Sequence, residues 1–250
     1  MREMAATYNT VLVVGGEGEK CRNVAEGYGF NDVVTPRDIM KWEASVTPFR
    51  NLTSDEYTNS RKRDFSQDNI DAIFVYADSR HWGDDSQIIM DLLMSKNGRM
   101  GTMSETFDEG PPIYFSHNDV VWATDFDLNR LGMGALRVMI EALYKERTGK
   151  TLETATSFGK PQIGTFRYAT KVLEQWRKDV FGEEGLPQTV YFVGDTPESG
   201  VYQSGTVPKH EPRATVDTVL DAVKWGMERS RKAALKELDK FNDGIEVKGE

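Results

Sequence analysis

The chain is short of cysteine and histidine: Cys21 is the only cysteine among 250 residues, and His81, His117 and His210 are the only histidines. One cysteine excludes a disulfide within the chain, so a reducing compartment is expected. The few Cys and His residues have no metal-ligand spacing, which excludes a zinc cluster. No Gly-x-Ser-x-Gly elbow is present to carry a serine nucleophile. No apolar run approaches the ~18 residues of a membrane span. Cationic charge is also short, with 31 Lys and Arg against 40 Asp and Glu and a net charge of −9. That balance argues against a nucleic-acid partner, which requires a basic face. The first ten residues carry neither an apolar signal core nor an Arg-rich, acid-poor presequence, so no targeting signal is visible. The expected location is intracellular, in cytoplasm or mitochondrion.

What remains is a wet-surfaced α/β pattern, 38% hydrophobic with a mean hydropathy of −0.54. The length suits one large domain or two small ones. Val11–Val14, followed by Gly15-Gly16, reads as a buried strand and a turn. Cys21, Val24, Ala25 and Tyr28 fall at helical spacing, Gly29 stops that helix, and Asp32–Thr35 is a second strand. Residues 43–70 are polar and without clean period, so they read as a long excursion, mobile in character. Ile70–Tyr76 is the next strand and Ser86–Met94 the next helix; Pro112–Ser116 and Val120–Ala123 are strand-like. Gly134–Arg147 is a strong helix with Leu136, Met139, Ile140 and Leu143 as its stripe. Thr151–Ser157 reads as a linker and marks the domain boundary. Beyond it come a helix from Pro161 through Trp176, a strand at 188–193 and an amphipathic helix from Val216 to Met227. A charged end follows, expected to be a solvated helix that frays. Alternating β and α elements imply largely parallel sheets.

Three motifs bear on chemistry. Gly15-Gly16-Glu17-Gly18-Glu19-Lys20 follows a strand but lacks the third glycine of the dinucleotide fingerprint and the Gly-Lys-Ser/Thr of a P-loop. Its glutamates would repel a pyrophosphate, so a plain tight turn is the preferred reading. Arg130-Leu-Gly132-Met-Gly134 opens the strong helix, where glycine N–H groups and the helix dipole suit an anion; a glycine-lined packing turn accounts for it equally well. Gly159-Lys160-Pro161 opens a helix, and Gly194-Asp195 ends an apolar strand. A lysine at a helix start and a carboxylate at a strand tip suit a phosphate and a divalent cation.

At these residues the chain resembles the haloacid-dehalogenase-like hydrolases of class IIA, and within them the subgroup named after the cat-eye-syndrome critical region. The resembling segments are Val11–Gly16, Ala25–Phe30, Phe115–Trp122, Arg130–Ala135, Phe158–Pro161 and Val190–Ser199. The resemblance implies an α/β fold made of a Rossmann-like core remnant and a class C2 α/β cap. It places the cap at 8–150, a partial core at 151–230 and a charged tail at 231–250. Lys160 matches the family's third, catalytic motif and Asp195 its fourth, magnesium-binding one. Arg130, Gly132 and Gly134 fall on the cap loop that touches substrate. The substrate class implied is a small phosphorylated molecule, and the cofactor is magnesium.

Two departures stand out. The family's Asp-x-Asp-Gly nucleophile motif occurs nowhere here; Asp125-Phe-Asp127 is followed by Leu128. By the resemblance, it and the second motif belong upstream of residue 1. After Ser199 the chain passes straight to Gly200-Val-Tyr-Gln, where the family continues with a second acid, a helix and a strand. The expectation is a phosphatase-type hydrolase relative without turnover of its own. The alternatives are a non-catalytic binding or regulatory module and an incomplete gene-model or splice fragment. Some relatives are mitochondrial and are grouped with glycerophospholipid metabolism.

Overall fold

The computed structural model describes residues 1–159, 162–186, 190 and 216–245. It divides into two compact units, Met1–Arg167 and Tyr168–Glu250. In the first unit a short helix α1 (Arg2–Ala5) precedes β1 (Thr10–Val14), α2 (Lys20–Gly27), β2 (Asp32–Val34) and α3 (Pro36–Trp42). Then come a 3-10 turn at Ala44–Val46, α4 (Ser54–Asn59), β3 (Ala72–Val75), α5 (Trp82–Leu93) and β4 (Ile113–Phe115). A small hairpin, β5 (Val121–Trp122) and β6 (Arg130–Leu131), leads into α6 (Met133–Thr148), β7 (Ala155–Ser157) and the start of α7 (Ile163–Phe181). The five-stranded sheet has the order β2-β1-β3-β4-β7, and every pair in it is parallel. This is the α/β fold that the alternation of elements predicts.

Period-two alternation divides the strands between two apolar layers, and both layers are covered. Leu12, Val14, Ile73, Val75, Ile113 and Phe115 face α3, α5 and α6, against Ile39, Ile88, Leu92, Leu136 and Ile140. Val11, Val13, Val33, Ala72 and Phe74 face the other side, under Ala25, Phe30 and Tyr8. Burial on both faces is why Val11–Val14 is a continuous apolar run and not an alternating one. On the second face Phe74 stacks on Tyr114 at 5.0 Å and meets Phe30 edge-on at 5.1 Å. The Tyr8 and Tyr114 hydroxyls share a 2.6 Å hydrogen bond. Burial, and then that bond, push the Tyr114 phenol up to about 12.

A buried ion pair ties α2 to β2 and α3. Arg22, 1% exposed, donates to both Asp38 oxygens at 2.9 and 2.8 Å, to Val33 O at 2.7 Å and to Thr35 Oγ1 at 3.1 Å. Asp38 also accepts the N–H of Thr35 at 2.8 Å and that of Arg61 at 2.6 Å. Thr35 and Asp38 thereby form a capping box, with Pro36 in the first turn. Helix α3 is absent from the sequence reading, although Thr-Pro-Arg-Asp ahead of Ile39-Met40 is its start signal.

Two expectations are corrected. Residues 43–70 form an ordered cover over the sheet edge: Phe65 is fully buried against Trp42, and Arg63 holds Asp32 at 2.7 and 2.8 Å. Anchors spaced that far apart leave no period to read. The stretch read as a linker contains β7, whose Ala155 pairs with Ile113; three residues at a sheet edge leave little pattern. Smaller shifts follow the same logic. Helix α5 begins at Trp82, and the buried stripe of α6 is Leu136, Ile140 and Tyr144, with Leu143 41% exposed. Gly149 ends α6 in the left-handed conformation, as its position implies.

In the second unit, the remainder of α7 and helix α8 (Val219–Ile245) are described. The strand expected at 188–193 lies outside the described residues, Val190 aside.

Candidate functional site

All five strands of the sheet end on one edge, where their C-terminal loops collect. In α/β sheets that edge is the binding edge. The loops are Gly15-Gly16 after β1, Thr35 after β2, Tyr76–Ser79 after β3, Ser116–Asp119 after β4 and Phe158-Gly159 after β7.

The β4–β7 half of the edge is knit by backbone contacts. Ser116 N–H donates to Val75 O at 3.0 Å, and Phe158 N–H to Phe115 O at 2.8 Å. Gly159 has φ +84 and lies so close that a Cβ there would stand 2.9 Å from His117 Cα. Only glycine fits, so the chain entering Lys160 is pressed onto the loop after β4. His117 has a buried Nδ1 without a hydrogen-bond partner among the described residues; Asp119 Oδ2 lies 4.0 Å away. Asn118 Oδ1 is held by Arg137 Nε at 2.7 Å, and Arg137 is held in turn by Glu141 at 2.7 Å. His117-Asn118-Asp119 follows a strand in the sequence, a weak signal for a ligand-facing loop, and the structure places it in the loop after β4.

The residues singled out from the sequence fall as follows. Lys160 and Asp195 lie outside the described residues. Arg130 is exposed on β6, its guanidinium 4.5 Å from the Phe126 ring centre and its Nε on Leu128 O at 3.1 Å. Gly132 and Gly134 stand against the loop after β4: a Cβ on Gly134 would be 2.4 Å from Asn118 O. Their N–H groups donate to Val120 O and Asp119 O, each at 2.9 Å. Those donors are spent within the protein, so here the glycines act in close packing. The exposed Val120, Trp122, Phe126, Leu128 and Leu131 make the hairpin beside them an apolar wall. Among the described residues no three His, Cys, Asp or Glu side chains converge to hold a metal.

The β1–β3 half of the edge holds a cavity of about 220 Å³ lined by Arg22, Arg37, Arg50, Arg80, His81 and Asp85, among others. Asp85 accepts from Ser79 Oγ at 2.6 Å, and burial nevertheless raises its pKa. Cys21 lies beside the cavity, half-buried, with its thiol pKa raised by burial.

Known proteins give the family. The chain is 34% identical over 268 positions to the mitochondrial hydrolase YKR070W of Saccharomyces cerevisiae, an alignment covering 91% of this chain and 75% of that protein. The chain belongs to the family of that hydrolase. It is also 35% identical, over 93% of its length, to a Schizosaccharomyces pombe cardiolipin synthase (CMP-forming)/mitochondrial hydrolase fusion protein. It spans 42% of the length of that fusion. No family model matches the chain. A possible sugar phosphatase of the HAD superfamily from Cytophaga hutchinsonii aligns at a TM-score of 0.31 and 12% identity, over 70% of this chain and 75% of that one. A likeness that shallow carries no argument. No helix among the described residues is long and apolar enough to cross a membrane.

Proposed function

We propose that the chain is a haloacid-dehalogenase-like hydrolase relative of class IIA, in the cat-eye-syndrome critical-region subgroup. On this reading 8–150 is a C2-type cap, 151–230 a partial core and 231–250 a charged tail. The observation that carries it is the seat of Gly159 on His117 at the sheet's binding edge. It brings the chain that enters the Gly-Lys-Pro motif to the loop after β4, beside the hairpin of Arg130. Membership in a family with a named hydrolase supports the same reading.

In that site Lys160 neutralises a phosphate. Arg130, with its exposed guanidinium, reaches a substrate, while Gly132 and Gly134 shape its loop. Asp195 would contribute to holding magnesium, which supplies charge neutralisation when bound. The substrate class is a small phosphorylated molecule. The mitochondrion is the proposed location, after the names of the two relatives, and a fluorescent fusion checks it.

The chain alone has no nucleophile on this reading. Asp125 and Asp127 sit in the exposed hairpin and lack the following Gly of the family motif. The 250 residues with magnesium should therefore hydrolyse no small phosphate ester, p-nitrophenyl phosphate included. Robust turnover that vanishes in Asp195→Asn would overturn this reading. A second reading, a regulatory module that pairs with another polypeptide, is favoured by α7, which has an amphipathic stripe and no buried residue.

A further inference from the structure

The cavity between the tips of β1, β2 and β3 lies at the point where the sheet changes direction. From β1 the chain goes to β2 on one side, then returns to β3 on the other. Crevices at such switch points are where α/β sheets take ligands. No residue of the Lys160 site lines this one.

Its floor is a backbone cradle. Gly15, Gly16 and Gly18 have φ of +101, +72 and +56. A Cβ on Gly15 would stand 1.9 Å from Ala77 O, and one on Gly16 would stand 2.7 Å from Cys21 Sγ. The N–H of Gly16 is spent on Asp78 O at 3.2 Å. Those of Glu17, Gly18 and Glu19 donate to no acceptor among the described residues. Successive N–H groups in such a turn form an anion-binding concavity.

Four arginines from separate parts of the chain complete the walls. Three are committed: Arg22 to Asp38 and Glu19, Arg37 to Glu19, and Arg50 to Glu56 with Asp84 at 3.7 Å. These pairs also answer the repulsion expected from the loop's glutamates. Glu19 spends both oxygens on arginine. Glu17 is exposed and pairs with Lys20 at 3.4 Å. Asp85 is the wall's remaining acid, held by Ser79. Arg80 makes no hydrogen bond or ion pair among the described residues, and its charge is felt at the Cys21 thiol. Arg37 uses only Nη2, on Gly18 O and Glu19. The donors left over are the Arg80 fork, the rest of Arg37 and three backbone N–H groups.

We propose that this cavity is a second anion site, which takes a phosphate group through Arg80 and the Glu17–Glu19 amides. At about 220 Å³ it is too small for a dinucleotide, since pockets for drug-sized ligands run to about 300–1,000 Å³. Inorganic phosphate or a small phosphomonoester fits the donor set. The site does not depend on the hydrolase reading.

The test is a titration of the full chain, labelled with ¹⁵N-glycine, with inorganic phosphate at constant ionic strength. Gly16 and Gly18 amides should shift and saturate. Phosphate should also slow alkylation of Cys21, the only thiol in the chain. Arg80→Ala, a change at an exposed residue, should weaken binding at least tenfold; Lys160→Ala should leave it unchanged. The proposal is overturned by non-saturating shifts, by unchanged affinity in Arg80→Ala, or by affinity lost in Lys160→Ala instead. Phosphatase assays decide the hydrolase reading separately.

Discussion

Strand β1 and helix α7 have equally legible apolar patterns and opposite fates. Val11, Leu12, Val13 and Val14 are at most 1% exposed, enclosed by neighbouring strands and by side chains on both faces. Along α7, Tyr168, Val172, Trp176 and Val180 recur every fourth residue, yet each is about half exposed or more, and the helix buries nothing. Val219, Leu220, Val223 and Met227 repeat the situation on α8. The difference lies in the partner surface. A strand run supplies its own partners once the sheet assembles, because each strand is both donor and acceptor to the next. An amphipathic helix records only a demand for a partner.

The comparison breaks most visibly under protease. The central strands β1 and β3 of the first unit are buried on both faces, whereas α7 buries no residue and Val219, Leu220, Val223 and Met227 of α8 are exposed, so local opening is cheaper in the second. Limited digestion should cut within 168–250 first and leave a fragment ending near Arg167. Early cleavage inside 70–145, read by mass spectrometry, would reverse the comparison.

Next comes the buried ion pair of the first unit. Arg22→Met strands the Asp38 carboxylate, so denaturant titration should show a loss of about 3–5 kcal/mol. The double variant Arg22→Met/Asp38→Asn should recover part of that loss, because no charge is left uncompensated. Equal losses in the two proteins would mean that packing of Arg22, and not its charge, holds α2 to α3.

How much of this was legible follows from where each partner lies in the chain. The strands of β1 and β3 and the helix α6 announce themselves by composition and period, since their burial repeats within a few residues. The Arg22–Asp38 pair spans two helices and a strand, and nothing local marks an arginine as buried. The cover at 43–70 escaped because its anchors, Phe65 and Arg63, work through tertiary contacts alone. Of the site, Gly159 and Gly134 were legible as glycines at helix starts. What the glycines touch was not, and with it went His117. The arginine-lined cavity was hidden entirely: its loop breaks both phosphate-binding patterns, and its cations come from positions 22, 37, 50 and 80.

A smaller effect separates the charged wall of the cavity from the core beneath it. Burial raises the Asp85 pKa above its ordinary value of 3.8. An acid raised on folding is penalised once it must ionise, so its stability contribution is lost as pH rises from the unfolded value through the folded one. Asp85→Asn removes that penalty and keeps an acceptor for Ser79. The variant should gain in thermal midpoint over the parent at pH 7, and the gain should shrink toward pH 4. A gain that grows on acidification would mean that the folded site stabilises the carboxylate.

The smallest expected effect tests the opposite side of the comparison. Trp176 is 50% exposed and meets Phe181 edge-on at 5.2 Å. Changes at such surface positions stay within about 0.5 kcal/mol, whereas Phe74→Ala in the sheet should cost about 3–5 kcal/mol. Trp176→Ser should therefore leave the unfolding midpoint of the chain almost unmoved. It should also lower the tendency to self-associate, since a large aromatic leaves an exposed apolar stripe. The decisive measurement is the same substitution made with the rest of a full-length relative present in trans. If the stripe is the seat of a missing core element, Trp176→Ser becomes costly only then, as a loss of complex by size-exclusion chromatography. A cost of several kcal/mol in the isolated chain would show instead that α7 is already covered, and the contrast with β1 would fall.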